Sequence, residues 1–190
     1  MRRGWRLSFL RSPRPHAISQ AMAIVHMPEA IAGLVSMMVE GSDEAQQHAA
    51  GALGHLAVNE DAESIIVHSG GVLDALASVL AAGREGVKEE AAAALESLSY
   101  SAESAMLVAR TEGVIPSLVE LLHTSKGKAI ENAIGALQNM AVIAECRLEI
   151  AATPRALVSI ANVLWSGSPK AQVRLVESRR NRVCALLLLE

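Results

Sequence analysis

The chain has 190 residues, of which 51% are hydrophobic but only 2% aromatic, with two cysteines and a net charge of −3. So few aromatics leave little with which to stack bases or sugars, and Cys146 and Cys184 alone imply neither a disulfide framework nor a cysteine-rich zinc site. No apolar run, Leu186–Leu189 included, approaches the roughly 18 residues needed to span a bilayer.

The charge is unevenly spread. Residues 1–17 carry Arg2, Arg3, Arg6, Arg11 and Arg14 with no acid, and residues 169–190 carry five bases against Glu177 and Glu190. That leaves −11 on the body, 18–168. An acidic body repels phosphate backbones and favours basic partners, so nucleic acid is not an expected ligand.

In chain order, the first stretch is an Arg-rich, acid-free segment interleaved with Trp5, Leu7, Phe9 and Leu10 and ending at Ser12-Pro13-Arg14-Pro15. It reads as an organelle presequence, as a basic, disordered tail over 1–18, or as the ragged start of an incomplete gene model, and residues 1–17 are expected to be dispensable for folding. Two cysteines are compatible with a reducing compartment. The expected location is cytoplasmic, with an organelle as the alternative if 1–17 is a presequence.

From about Ser19 the sequence repeats with a period of 42. Ile31, Leu73, Ile115 and Leu157 fall at one position; Leu34, Leu76, Leu118 and Ile160 at a second; Met37, Val79, Leu121 and Val163 at a third; Met38, Leu80, Leu122 and Leu164 at a fourth. Ile24-Val25-His26 and Ile66-Val67-His68 are identical triplets in the same register. Each unit reads as three helices. Short helices are expected around 19–27, 61–69, 103–111 and 145–152, and middle helices from about 30, 72, 114 and 156. Long helices should follow near 43–58, 86–99 and 127–142, with a fourth from Pro169. Gly113 before Pro116 in Gly113-Val114-Ile115-Pro116 is helix-start chemistry. The links Gly41-Ser42-Asp43, Gly83-Arg84-Glu85, Thr124-Ser125-Lys126-Gly127 and Gly167-Ser168-Pro169 are short and turn-forming. Along the long helices Leu53, Leu95 and Leu137 with Leu56, Leu98 and Met140 predict a buried stripe. Ala49, Ala91 and Ala133 are small enough to let helices approach.

These features, a 42-residue period with three helices per unit, a G-V-I-P-x-L-V-x-L-L turn and an A-L-x-N-x-A third helix, resemble armadillo repeats over about 19–174. HEAT repeats share the period range but have two helices per unit. The resemblance implies an all-α, right-handed superhelical solenoid of about four repeats. The pattern breaks in the last unit, where Arg179 and Arg182 stand at the positions of Leu137 and Met140. Residues 175–190 are either a divergent capping helix or a truncated or misread terminus.

No enzyme motif is present: Gly83-Arg84-Glu85-Gly86 and Ser125-Lys126-Gly127-Lys128 lack the spacing of a phosphate loop. Glu44, His48 and His55 share a helix face, yet the two histidines are two turns, or roughly 10 Å, apart, too far to share one ion. No cofactor or metal is expected. The resemblance implies instead that the third helices line a concave groove. In the nuclear-import receptors of the family, a Trp and an Asn four residues later grip a peptide. The Trp positions are Gly51, Ala93 and Gly135 and the Asn positions His55, Ser97 and Asn139, so only Asn139 matches. One turn earlier lie Gln47, Glu89 and Glu131.

The expected function is a non-catalytic protein–protein interaction scaffold. Its groove would hold a partner segment, a basic one by charge, with Glu89, Glu90 and Glu131 attracting it and Asn139 bonding its backbone. Self-association through the repeat ends is a further expectation. The alternative is a substrate-recruiting fragment of a larger armadillo-containing enzyme such as a ubiquitin ligase.

Overall fold

The structure, a computed structural model, describes residues 15–177, with side chains over 18–173. The expectations placed on 1–14 and 178–190 therefore lie outside the described residues, among them the presequence, Cys184 and the breaks at Arg179 and Arg182.

Every described element is a helix. The first unit comprises α1 (Pro15–Val25), α2 (Pro28–Glu40) and α3 (Asp43–Leu56); the second α4 (Glu60–His68), α5 (Val72–Ala82) and α6 (Glu85–Ser97). The third comprises α7 (Ala102–Arg110), α8 (Val114–Thr124) and α9 (Lys128–Met140); the fourth α10 (Ala144–Ala152), α11 (Ala156–Ser166) and α12 (Pro169–Glu177). Two differences from expectation are local. The first helix starts at Pro15, ahead of Ser19, because proline's fixed φ suits a first helical turn. The long helices end two residues early, at Leu56, Ser97 and Met140, where the chain turns to the next short helix.

The helix starts follow from side-chain chemistry. Ser42 Oγ accepts the Ala45 amide at 3.3 Å, Asn59 Oδ1 that of Ala62 at 2.8 Å, and Ser101 Oγ that of Ser104 at 3.2 Å. Each satisfies a donor that the first turn leaves without an intrahelical acceptor. The middle helices of the second, third and fourth units begin differently, after a residue in left-handed backbone: Gly71 (φ 81°), Gly113 (φ 82°) and Arg155 (φ 66°). That conformation costs an L-residue with a Cβ about 1–2 kcal/mol and glycine almost nothing. At Gly83 the reason for glycine is space, since a Cβ there would stand 2.5 Å from the Val79 carbonyl oxygen.

Packing follows the period. Leu53, Leu95 and Leu137 are buried, as are Leu98 and Met140, and Leu76, Leu118 and Ile160 stack between units. Burying each such side chain contributes about 1.5–3 kcal/mol. Ala49, Ala91 and Ala133 are buried where long helices meet. The most extensive helix contacts are α3 with α6 and α6 with α9. The two interfaces are built differently. Between α3 and α6 the approach is close at Gly54, where a Cβ would lie 3.1 Å from the Ala94 Cα. Between α6 and α9, Asn132 Nδ2 donates to the Glu89 carbonyl at 3.2 Å and Asn139 Nδ2 to the Glu96 carbonyl at 3.0 Å.

The stripe is less complete in the first unit. Leu34 and Leu56 are half-buried and Met37 is exposed, because no described helix precedes α1 to cover them. His26 and His68 place Nδ1 2.7 and 2.8 Å from the carbonyl oxygens of Met22 and Ser64, so the repeated histidines finish the short helices.

Candidate partner-binding groove

The stacked long helices α3, α6 and α9 position the nine residues singled out from sequence, three from each. They do not form one uniform surface. On α3, His55 is exposed, whereas Gln47 and Gly51 are half-buried. Gly51 leaves room for Glu90 of the next unit, whose Oε2 would stand 3.0 Å from a Cβ at that position. Gly86 does the same for Gln47, with Oε1 2.8 Å from where its Cβ would be. On α6, Glu89, Ala93 and Ser97 are all half-buried.

On α9 the site is largely absorbed into the fold. Glu131 is only 8% exposed. Its Oε2 lies 2.7 Å from Lys170 Nζ, and its Oε1 accepts a hydrogen bond from Ser168 Oγ at 3.0 Å. Ser168, which caps α12, and Lys170 in its first turn thus deliver a hydroxyl and a cation to that carboxylate, so its charge is answered inside the chain. Gly135 is buried. Asn139, expected to bond a partner's backbone, spends its amide on the Glu96 carbonyl and, at 3.4 Å, on Ser99 Oγ. The reason is shared by both residues. Each meets a group that a neighbouring unit happens to present, Lys170 and Ser168 for Glu131 and the Glu96 carbonyl for Asn139, whereas a period-based reading assigns the same positions to solvent.

The acidic groups left at least partly open to solvent on these helices are Asp43 and Glu44 on α3 and Glu85, Glu89, Glu90 and Glu96 on α6. Asp43 pairs with Arg84 Nε at 2.6 Å, and both side chains are well exposed. An exposed pair of this kind is worth little in stability but lowers the local field. What remains is a polar strip on α3 and α6, with His55, Gln47, Ser97, Glu89 and Glu90 as its hydrogen-bonding and charged groups. It offers a partner complementarity rather than bond-making chemistry. Among the described residues no group of three or more His, Cys, Asp or Glu could hold a metal ion, and no single helix is long and apolar enough to cross a membrane.

Sequence reasoning missed the residues that tie unit to unit. Glu63 is buried on α4 and accepts the Ser101 amide. Arg147 donates Nη1 to the carbonyls of Ala141 and Val142 at 2.8 and 3.2 Å, closing the C-terminal end of α9. Glu63 and Arg147 fall at one repeat position, which Ala21 and Ala105 fill in the other units. Charge at a position otherwise held by alanine was the available signal.

Comparison with known proteins adds the lineage. No curated protein matches the sequence. Among solved structures, one engineered protein is 25% identical, with a TM-score of 0.76 over 86% of this chain and 66% of its own. A second engineered protein is 26% identical, with a TM-score of 0.79 over 91% of this chain and 70% of its own. A designed armadillo repeat protein in complex with a (KR)4 peptide is 22% identical, with a TM-score of 0.77 over 86% of this chain and 68% of its own. The chain thus spans about two thirds of the length of these structures, and their likeness identifies an armadillo-type helical solenoid. The family described as the plant U-box protein ARM repeat region matches residues 7–178, and with the fold and period in agreement the chain belongs to that family.

Proposed function

We propose that the chain is a protein-interaction scaffold that holds a segment of a partner protein along the groove face of its long helices, chiefly on α3 and α6. The observation that carries this reading is the half-buried polar strip of Gln47, Glu89, Glu90 and Ser97 on two closely packed helices. Half-buried polar groups on a rigid support can exchange water for partner atoms at little ordering cost. The acidic balance of the body favours a basic segment, gained mostly in association rate and in discrimination against acidic competitors. The designed relative in complex with (KR)4 lends support to that choice of charge. Because Glu131 is paired with Lys170, the attraction is assigned to Glu89 and Glu90 and not to α9.

The family description favours a second, compatible reading: a recruiting region that works beside a U-box in a ubiquitin ligase. In that setting the same face would select the substrate or a regulator, and the catalytic step would belong to other parts of the assembly.

Titration of a Lys/Arg-rich peptide library at low and moderate salt tests the first reading. Glu89→Lys with Glu90→Lys should weaken binding and flatten its salt dependence. Reversal at the exposed Glu103 and Glu120 should change it little. Equal losses from both pairs, or no preference for basic peptides, would remove the groove from this account.

A further inference from the structure

The first unit presents a face that later units bury. Ile24, Ile66, Val108 and Ile150 occupy one repeat position; Ile24 is 40% exposed and the other three are 0% exposed. Met37 is 42% exposed, against 4%, 2% and 3% at its counterparts Val79, Leu121 and Val163. Leu34, Ala52 and Leu56 are half-buried where Leu76, Ala94 and Leu98 are buried. With Ile24, Ala30 and His55 they line a groove of about 440 Å³ at the open end of α1, α2 and α3. Elsewhere helices pack on their counterparts one period earlier: α6 on α3, α5 on α2, α4 on α1. The face is therefore a stacking surface shaped for an element one period before α3.

We propose that residues 7–14 of this chain cover that face and act as its N-terminal cap. The family match begins at Leu7, eight residues ahead of α1, and so counts this stretch within the repeat region. Counting back 42 sets 7–14 against 49–56, the half of α3 that carries Ala52, His55 and Leu56. The stretch also supplies Leu7, Phe9 and Leu10, bulkier than the alanines and glycines at the matching places, Ala49, Gly51 and Ala52. Large side chains at these places suit a groove that no following side chain fills. Residue 14 joins α1 directly, so the segment reaches the face at a high effective concentration that a second molecule lacks. Arg11, at the position of the buried Leu53, marks the segment as a cap, not a complete repeat unit. It stands against the expectation that 1–17 is dispensable for folding, and truncation decides between the two.

The test compares the full chain with three variants: one lacking 1–14, Phe9→Ser with Leu10→Ser, and Ile24→Ser. Removing 1–14 should lower the thermal midpoint by roughly 3–6 °C, on a scale of about 2–4 °C per kcal/mol for a chain of this size, and the Phe9/Leu10 variant should reproduce most of that. Ile24→Ser should cost clearly less in the truncated chain than in the full one, because the two changes remove one contact. In Trp165→Phe, which leaves Trp5 as the only tryptophan, emission should shift to the blue relative to Ile24→Ser in the same background. An unchanged midpoint on truncation, or additive losses, would overturn the proposal. So would a full-length dimer, seen by light scattering, that Ile24→Ser dissolves; that result assigns the face to a second copy.

Discussion

Glu63 and Ser101 stand in successive units, 38 residues apart, and the Glu63 carboxylate accepts the Ser101 backbone amide at 2.9 Å from a nearly inaccessible site. Ser101 is also the residue whose hydroxyl starts α7. One buried acid therefore fixes where the short helix of the third unit begins relative to that of the second.

Glu63→Ala should lower stability by about 1–3 kcal/mol, because it leaves a part-buried amide without its acceptor. Glu63→Gln keeps an acceptor oxygen and should recover much of the loss. Urea midpoints at constant m-value check this, and equal losses from both variants would mean that packing, not the hydrogen bond, is what matters. The same geometry makes Glu63 unsuitable as a surface control in binding experiments.

Lys170→Ala leaves the nearly buried Glu131 with the Ser168 hydroxyl and without its cation. Lys170 is 65% exposed in its side chain, so solvent screens the pair and the cost should be about 1 kcal/mol, well short of a fully buried bridge. The loss should shrink in high salt. A salt-independent loss would point instead to the packing of α12 on α9.

Most of the fold was legible in the sequence, because a solenoid writes its packing periodically. Leu53, Leu95 and Leu137 had to share one environment, and they do. The groove was legible only as a set of helix faces. Whether Glu131 or Glu89 faces a partner depends on what the next unit brings to it. Lys170 meets Glu131, whereas Gly86 merely makes way for Gln47, and no single-unit pattern contains that pairing. Arg155 was likewise invisible: nothing in Thr153-Pro154-Arg155 says that an arginine takes the backbone glycine holds in the two preceding units.

Arg155→Gly should accordingly stabilise the chain. It relieves about 1–2 kcal/mol of left-handed strain and gives back about 0.4–1 kcal/mol through a more flexible unfolded chain, for a net gain of about 0.5–1 kcal/mol. Gly113→Ala, the reverse change at an equivalent corner, should destabilise. A chemical-denaturation series with both variants checks the signs, and a loss with Arg155→Gly would show that the side chain makes a compensating contact.

Burial, followed by the fields of Glu149 and Glu145, pushes the Cys146 thiol above its usual range, against a smaller opposing effect from Arg110. The thiolate is the nucleophile, so alkylation should be slow in the native state across neutral pH. In a Cys184→Ser background, iodoacetamide should label Cys146 only as the chain unfolds, and labelling should track the fraction unfolded through the denaturation transition. Fast labelling of the native chain at neutral pH would place the thiol nearer solvent.

Asn132 and Asn139 are two turns apart on α9 and make the same bond one after the other, donating to the carbonyls of Glu89 and Glu96, which are themselves two turns apart on α6. Two parallel amide bonds set the register of the two helices as well as their separation. Each asparagine replaced by alanine should cost about 1 kcal/mol. The sites are far enough apart, at roughly 10 Å along the axis, for the double variant to lose close to the sum. If Asn139 served a partner instead, Asn139→Ala would leave the thermal midpoint unchanged and weaken peptide binding. The bonds within the chain lead to the opposite expectation. The midpoint should fall, while affinity measured well below it should change less than with Glu89→Lys and Glu90→Lys. Measuring both quantities on both variants separates the two roles, and loss of binding without loss of stability at Asn139 would return that residue to the partner.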